Sequence, residues 1–323
     1  MTWVVLGGWL VWGFGAFWFD FPWSGWSRHA AVGFAVLCSA AVVVFRGGWR
    51  AVGMNAVLMA LVTACWWMLQ PLQYRDWKPE VALTPWADVE GDVVTIHQVR
   101  NFEYRATDDF DVRHEKRQYR MSQLCGVDLF LNYWGSPYMA HPIASFDFGP
   151  DGRVCFSVET RPERGEKYSA LRGLYRGFEL ICIAADERDV VRLRSNYREV
   201  EDVYLYRMKV ADPRAAFLEY VGIMNQLRAK PHWYNAITQN CTTSLRSHRN
   251  KEDRVAWDWR MLVNGYFDEF LYERGVIDVS LPFSELKRIS LVNSKAREAD
   301  DDPDFSAKIR KGLPGFDAAE GAN

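Results

Sequence analysis

The segment Trp233–His248 reads Trp-Tyr-Asn-Ala-Ile-Thr-Gln-Asn-Cys-Thr-Thr-Ser-Leu-Arg-Ser-His and holds the residues best suited to chemistry. Asn235, Thr238 and Asn240 are residue types that cap helix starts. A helix running from Asn240 through His248 places Cys241 in its first turn. Unpaired backbone N–H groups and the positive dipole end favour a thiolate there. The same groups can hold the oxyanion of a tetrahedral intermediate. Asn240 then belongs to the oxyanion site, with Tyr234 and Asn235 as substrate-positioning neighbours. Most free cysteines are small buried hydrophobes, but the polar neighbours Asn240, Thr242 and Thr243 set Cys241 apart. Cys38 and Cys65 lie inside apolar runs. Cys155 and Cys182 alternate with apolar neighbours and read as core; a disulfide between them is allowed outside the cytoplasm but has no support from spacing. Cys125 begins a strand and is uninformative.

A thiolate nucleophile needs a base and a group to orient that base. The chain has six histidines. His29 stands at the end of an apolar run, and His97 and His114 have no evident partner. His232 and His248 flank the cysteine segment, and His248 is two helical turns from Cys241, too far to touch its sulfur. His141 follows Gly135-Ser-Pro137 and starts a strand, where a sheet end meets solvent. Gly149-Pro-Asp-Gly152 is a turn signal, so Ile143–Phe148 and Val154–Val158 form a hairpin. With Phe148 and Arg153 flanking the turn, His141 faces Thr160, with Glu159 and Arg161 beside it. Glu159 is then the candidate third member, fixing the imidazole tautomer. Strict alternation puts it on the opposite face from His141, so this register needs a bulge. Arg161 either pairs with an acid in the core or meets a lipid phosphate.

The elements that must carry these residues show in the pattern. Strands are expected at Val93–Tyr104, Gln118–Gln123, Val127–Trp134, Ile143–Phe148, Val154–Val158, Phe178–Ala184 and Val203–Val210. Helices are expected at Asp189–Arg198, Pro213–Ala229 and Val255–Arg274. In the second of these, Phe217, Tyr220, Val221, Met224 and Leu227 make one apolar stripe. Asp212 caps it and Pro213 fits its first turn. The pattern is α+β with an antiparallel sheet, over residues 75–290. Residues 291–323 read as an acidic, disordered tail.

Residues 1–74 are nearly free of charge and hold three apolar runs, Thr2–Phe19, Ala30–Phe45 and Ala51–Tyr74. A membrane helix needs about 20 apolar residues, and backbone in lipid must be helical. Three transmembrane helices are therefore expected, with Trp18, Trp26, Trp49, Trp66 and Trp67 at the interfaces. The short basic loop Arg46–Arg50 is expected in the cytoplasm, which puts everything after Tyr74 outside it, in the periplasm of a bacterial inner-membrane protein. A net charge of −2 argues against nucleic acid as partner. No cysteine spacing describes a zinc site, and neither metal nor cofactor is expected.

Ordered motifs resemble the Lnb N-terminal periplasmic domain family. They are His141-Pro-Ile-Ala-Ser-Phe-Asp-Phe148, Ser157-Val-Glu-Thr-Arg161, Tyr175 with Glu179-Leu-Ile181, Asp186-Glu-Arg-Asp189, Leu193-Arg194, Val203-Tyr-Leu-Tyr206, Trp233-Tyr-Asn235 and Asn240-Cys-Thr-Thr243. Val99-Arg-Asn-Phe102 and Pro71 through Trp77 fit as well, so the resemblance covers roughly 71–250. The family includes lipoprotein N-acyltransferases proposed to use a cysteine and a histidine, which implies those roles for Cys241 and His141. The order of histidine on a strand, then cysteine opening a helix, also resembles permuted papain-like (NlpC-type) folds, including the lecithin retinol acyltransferase group. The resemblance implies a thioester on Cys241, with phospholipid as acyl donor and a lipoprotein N-terminus as acceptor. A cysteine peptidase or amidase of the cell envelope, or a binding protein with a degenerate site, are the other readings. Some family members are longer and carry further C-terminal membrane helices, whereas this sequence is read as closing on a short helical region and an acidic tail.

Overall fold

The computed structural model describes residues 2–20, 26–198, 200–235, 258–261 and 263–316. Cys241 and Asn240 lie outside the described residues.

Three apolar helices open the chain: α1 (Thr2–Phe19), α2 (Trp26–Val44) and α3 (Trp49–Met68). By length and composition α2 and α3 can each cross a membrane, whereas the apolar stretch Val4–Phe19 of α1 is shorter. The three pack on one another through Ala16, Phe34, Cys38, Met59 and Val62, with the rings of Trp12 and Trp66 5.2 Å apart.

The soluble part is built on one sheet in the order β1-β2-β9-β8-β7-β6-β10, with β5 also paired to β2. The strands are β1 (Trp86–Glu90), β2 (Val93–Arg100), β5 (His114–Arg120), β6 (Gly126–Trp134), β7 (Ala140–Asp147), β8 (Arg153–Arg161), β9 (Glu179–Ala185) and β10 (Glu201–Met208). A small hairpin, β3 (Glu103–Tyr104) and β4 (Phe110–Asp111), stands beside it. From β9 to β10 all neighbours are antiparallel, so the α+β expectation holds. The expected strand Val93–Tyr104 divides at Arg100, and β1 was not expected.

Central strands are buried on both faces, because helices cover both. On one face α6 (Pro213–Ala229) lays Phe217, Val221 and Met224 against Phe146, Phe156 and Cys182. Its start is as expected: Asp212 accepts a hydrogen bond from the Ala215 N–H, and Pro213 opens the first turn. The other face carries Phe130, Ile143, Cys155, Ile181 and Ile183. It is covered by α5 (Glu187–Arg192), the π-helical turn Leu193–Tyr197 and the C-terminal segment. Cys155 and Cys182 therefore lie on opposite faces of the sheet, both as free thiols, which rules out the disulfide considered above.

Two expectations are corrected. The residues after 290 are not a disordered tail as far as 316: Val292, Ala296, Ala299, Phe305, Ile309, Leu313 and Phe316 are buried in the core. Residues 317–323 lie outside the described residues. In the expected helix Val255–Arg274, the described part is α-helical only over Phe267–Glu273, preceded by 3-10 turns at Trp259–Met261 and Asn264–Tyr266.

Candidate active site

His141 stands second in β7, and the register of the β7–β8 hairpin decides what it meets. Asp147 pairs with Arg153 and Ile143 with Ser157. Five residues, Phe148–Gly152, make the turn, closed by a bond from the Phe148 N–H to the Gly152 carbonyl. Continuing this register sets His141 opposite Glu159. A shift of one residue moves side chains to the other face, so the histidine and the carboxylate share a face and no bulge is needed. The expected pairing of His141 with Thr160 is wrong by that one residue.

Between them sits Ser157, which has no assigned role in the sequence reading. The Ser157 hydroxyl donates to Glu159 Oε1 at 2.7 Å and lies 2.6 Å from His141 Nε2. With its proton given to the carboxylate, Ser157 accepts from the imidazole. Nε2 then carries the hydrogen, and Nδ1 is the nitrogen equipped to take a proton. Glu159 Oε1 is 3.6 Å from Nε2 and also accepts from Arg194 Nη2 at 2.8 Å. Arg194 comes from the π-helical turn and is anchored on the Val190 carbonyl. Burial would raise the carboxyl's pKa, but Arg194, the hydrogen bond and charge of His141, and Arg100 hold it well below the usual carboxylate range. Glu159 is thus an ionised carboxylate able to stabilise an imidazolium. Trp134 stands edge-on to the imidazole at 6.4 Å. Asn132 pairs with His141 across β6 and β7, and its side chain donates to Glu201 at 2.6 Å. Neither Asn132 nor Trp134 carries a motif that would have singled it out.

The chain leading to Cys241 leaves from this end of the sheet. Glu179, the first residue of β9, bridges Trp233, and the Tyr234 N–H donates to the Phe178 carbonyl. After the interval that contains Cys241, the chain comes back beside His141. The Ala140 N–H donates to Asn264 Oδ1 at 3.0 Å, the Gly265 N–H to the Tyr138 carbonyl, and the Tyr133 hydroxyl to the Gly265 carbonyl. Gly265 is required for this approach, since a Cβ there would stand 2.2 Å from the Pro137 carbonyl oxygen. Tyr234 packs against the α6-side core, and the Asn235 side chain donates to the Leu174 carbonyl at 3.1 Å.

Among the described residues Arg161 forms no salt bridge with a core acid, one of its two expected partners. Its guanidinium donates to the carbonyls of Val81 at 2.9 Å and Ala82 at 2.8 Å, reaches Gln73 at 3.3 Å, and stacks over Trp77 at 4.5 Å. Burial pulls its pKa down to about 10, against the opposing charge of Glu179. Arg161 clamps the linker between α3 and β1. Glu179 helps, accepting from the Leu72 N–H at 3.1 Å. Arg100, by contrast, does pair with a core acid, bound to Asp189 through Nε and Nη2.

No curated protein matches the chain, and no solved structure does. Residues 110–265 match the family model of the Lnb N-terminal periplasmic domain. The match starts later than the resemblance read from Pro71 and runs past it to Gly265. It takes in the β7–β8 hairpin, the π-helical turn and both flanks of the cysteine segment. Over that segment the chain is similar to the Lnb N-terminal periplasmic domain family.

Proposed function

We propose that the protein is a membrane-anchored thiol acyltransferase, with Cys241 as nucleophile and His141 as the proton-transferring base. The observation that carries this reading is the supported imidazole. Ser157, Glu159 and Arg194 fix His141 at the sheet end that Trp233 and Tyr234, before Cys241 in sequence, and Asn264 and Gly265, after it, both contact. Nδ1 takes the thiol proton, and the thiolate attacks a phospholipid ester carbonyl. The acyl C–O bond breaks and the lysophospholipid oxygen takes the proton back from the imidazolium. This leaves a thioester on Cys241. An amine, read here as a lipoprotein N-terminus, then attacks the thioester, His141 receives its proton, and the thiolate leaves. A strand-borne histidine that precedes the cysteine in the chain supports a permuted papain-like arrangement. The apolar N-terminal helices support this chemistry, because donor and acceptor both reside in the bilayer.

The test is intact mass spectrometry of the full chain after incubation with phospholipid vesicles. A mass increase of one acyl group on Cys241, absent in Cys241→Ala and released by an amine, is the expected result. Fatty acid release without an adduct that an amine can resolve would make the enzyme a hydrolase. Loss of neither adduct nor turnover in Cys241→Ala would remove the cysteine from the mechanism.

A further inference from the structure

The loop between β8 and β9 contains a single-turn helix, α4 (Ala170–Gly173), capped by the Ser169 side chain, which accepts from the Arg172 N–H. The loop is tied to the N-terminal helices as well as to the sheet end. Arg176 donates to the carbonyls of Trp66 at 2.6 Å and Leu69 at 3.1 Å, and lies 3.7 Å over the Trp66 ring. It thereby caps the C-terminal carbonyls of α3. The ring of Tyr175 packs on Phe19 at 5.3 Å and on the buried cluster of the three helices. Gly15 makes room for it, since a Cβ there would meet the Tyr175 hydroxyl at 2.0 Å. Gly15 lies a full turn inside the end of α1, so the Tyr175 hydroxyl reaches back past the last turn of that helix.

Other side chains of the same loop have no such cover. Leu171 is 61% exposed, Tyr168 46% and Leu174 43%. In water this would be a costly arrangement for three large side chains within seven residues of each other. Lys167 adjoins them in sequence, while Arg172 is held by Glu166 and Arg176 by the end of α3; apolar side chains exposed beside a basic residue are the pattern of an interfacial element.

We propose that residues 168–176 dip into the outer leaflet and that Leu171 and Leu174 sit among the lipid acyl chains. The occupant of this exposed apolar surface is the bilayer itself, because the loop continues the surface of α1 and α3, and α3 is long enough to span. Asn235 donates to the Leu174 carbonyl, so the inserted loop is also the support of the chain that leads to Cys241. The proposal rests on the membrane anchor and not on acyl transfer, and it stands whether or not Cys241 forms a thioester.

The test places a photoreactive benzoylphenylalanine at Leu171 or Leu174 in the full chain, reconstituted in phosphatidylethanolamine–phosphatidylglycerol vesicles. Leu61, exposed on α3, is the lipid-facing reference. Val112, exposed just after β4, is the aqueous reference: β4 pairs with β3, which follows the Arg100 end of β2, and Arg100 pairs with Ala185 at the far end of β9. Lipid adducts at Leu171 and Leu174 comparable to those at Leu61, with none at Val112, are expected. Labelling at both positions no stronger than at Val112, with Leu61 labelled, would overturn the insertion.

Discussion

Ser157 makes two hydrogen bonds of opposite sense, accepting from His141 and donating to Glu159, and so sets the direction of the whole relay. Ser157→Ala removes the acceptor for Nε2–H and leaves Glu159 3.6 Å away. The variant is expected to slow iodoacetamide alkylation of Cys241 near neutral pH, less severely than His141→Ala does. General-base loss in the latter is expected to reduce turnover about 100-fold or more. If Ser157→Ala leaves the pH profile of alkylation unchanged, the hydroxyl has no positioning role. Glu159 allows a sign to be worked out. Its pKa is held well below the ordinary 4.5, so its ionised form adds stability that is complete above 4.5 and is lost as the pH falls through the folded value. Glu159→Gln leaves Arg194 buried without a counter-charge and is expected to cost about 3 kcal/mol at neutral pH. The gap from the unsubstituted protein, measured by urea denaturation, should narrow steadily below pH 4.5. A gap that is constant down to strongly acidic pH would mean that the carboxylate contributes nothing as an ion.

At the scale of elements, most of the frame was legible in the sequence and its register was not. The β-branched and aromatic runs located seven of the strand segments, and Asp212-Pro213 located the start of α6, because both signals are local. The hairpin that carries the site was found from Gly149-Pro-Asp-Gly152. Its parity was missed because Phe148 looks like a strand residue: it is large, apolar and buried against Tyr119 and Phe217. It nevertheless belongs to the turn, and that single residue decides whether Glu159 faces His141. Ser157 and Arg194 were visible as parts of motifs, but their contact across β8 and the π-helical turn is a tertiary fact. The linker gives the second lesson. The connection between α3 and β1 matches no helix or strand pattern, yet Trp77 and Val81 are buried and Arg161 gathers three carbonyls around one guanidinium. Lys cannot reproduce that fork. Arg161→Lys is expected to lower stability by about 2 kcal/mol, the range for hydrogen bonds to a charged group, and to expose the 73–82 segment to limited proteolysis. An unchanged digestion pattern and unchanged stability would show that the clamp is dispensable.

For the whole molecule, the C-terminal segment covers the sheet face opposite α6, and its acidic composition concealed this. Phe305, Ile309, Leu313 and Phe316 recur at helical spacing and are all buried, each contributing about 1.5–3 kcal/mol on transfer from water. Among them Arg310 enters the core and bridges two carboxylates, Asp128 on β6 at 2.8 Å and Glu187 on α5 at 2.5 Å. The two acids respond in opposite senses. Burial raises the Asp128 pKa despite Arg310 and Arg207, whereas for Glu187 the charge and hydrogen bonds of Arg310 outweigh burial and bring it down to about 2. Glu187 also accepts from Ser145 and lies in the first turn of α5, the helix that leads into the turn bearing Arg194. The last segment of the chain is therefore connected to His141 through Arg310, Glu187, α5, Arg194 and Glu159. Arg310→Met is expected to destabilise the protein by about 4 kcal/mol, because two buried carboxylates lose a shared counter-charge. Adding Glu187→Gln should recover part of that loss, since the remaining acid keeps Arg207 at 3.0 Å. If the cost came only from lost packing around residue 310, the second substitution would give no recovery. Urea midpoints of the single and double variants separate these outcomes. The alkylation rate of Cys241 in the same proteins, measured well below those midpoints, shows whether the strain reaches the imidazole.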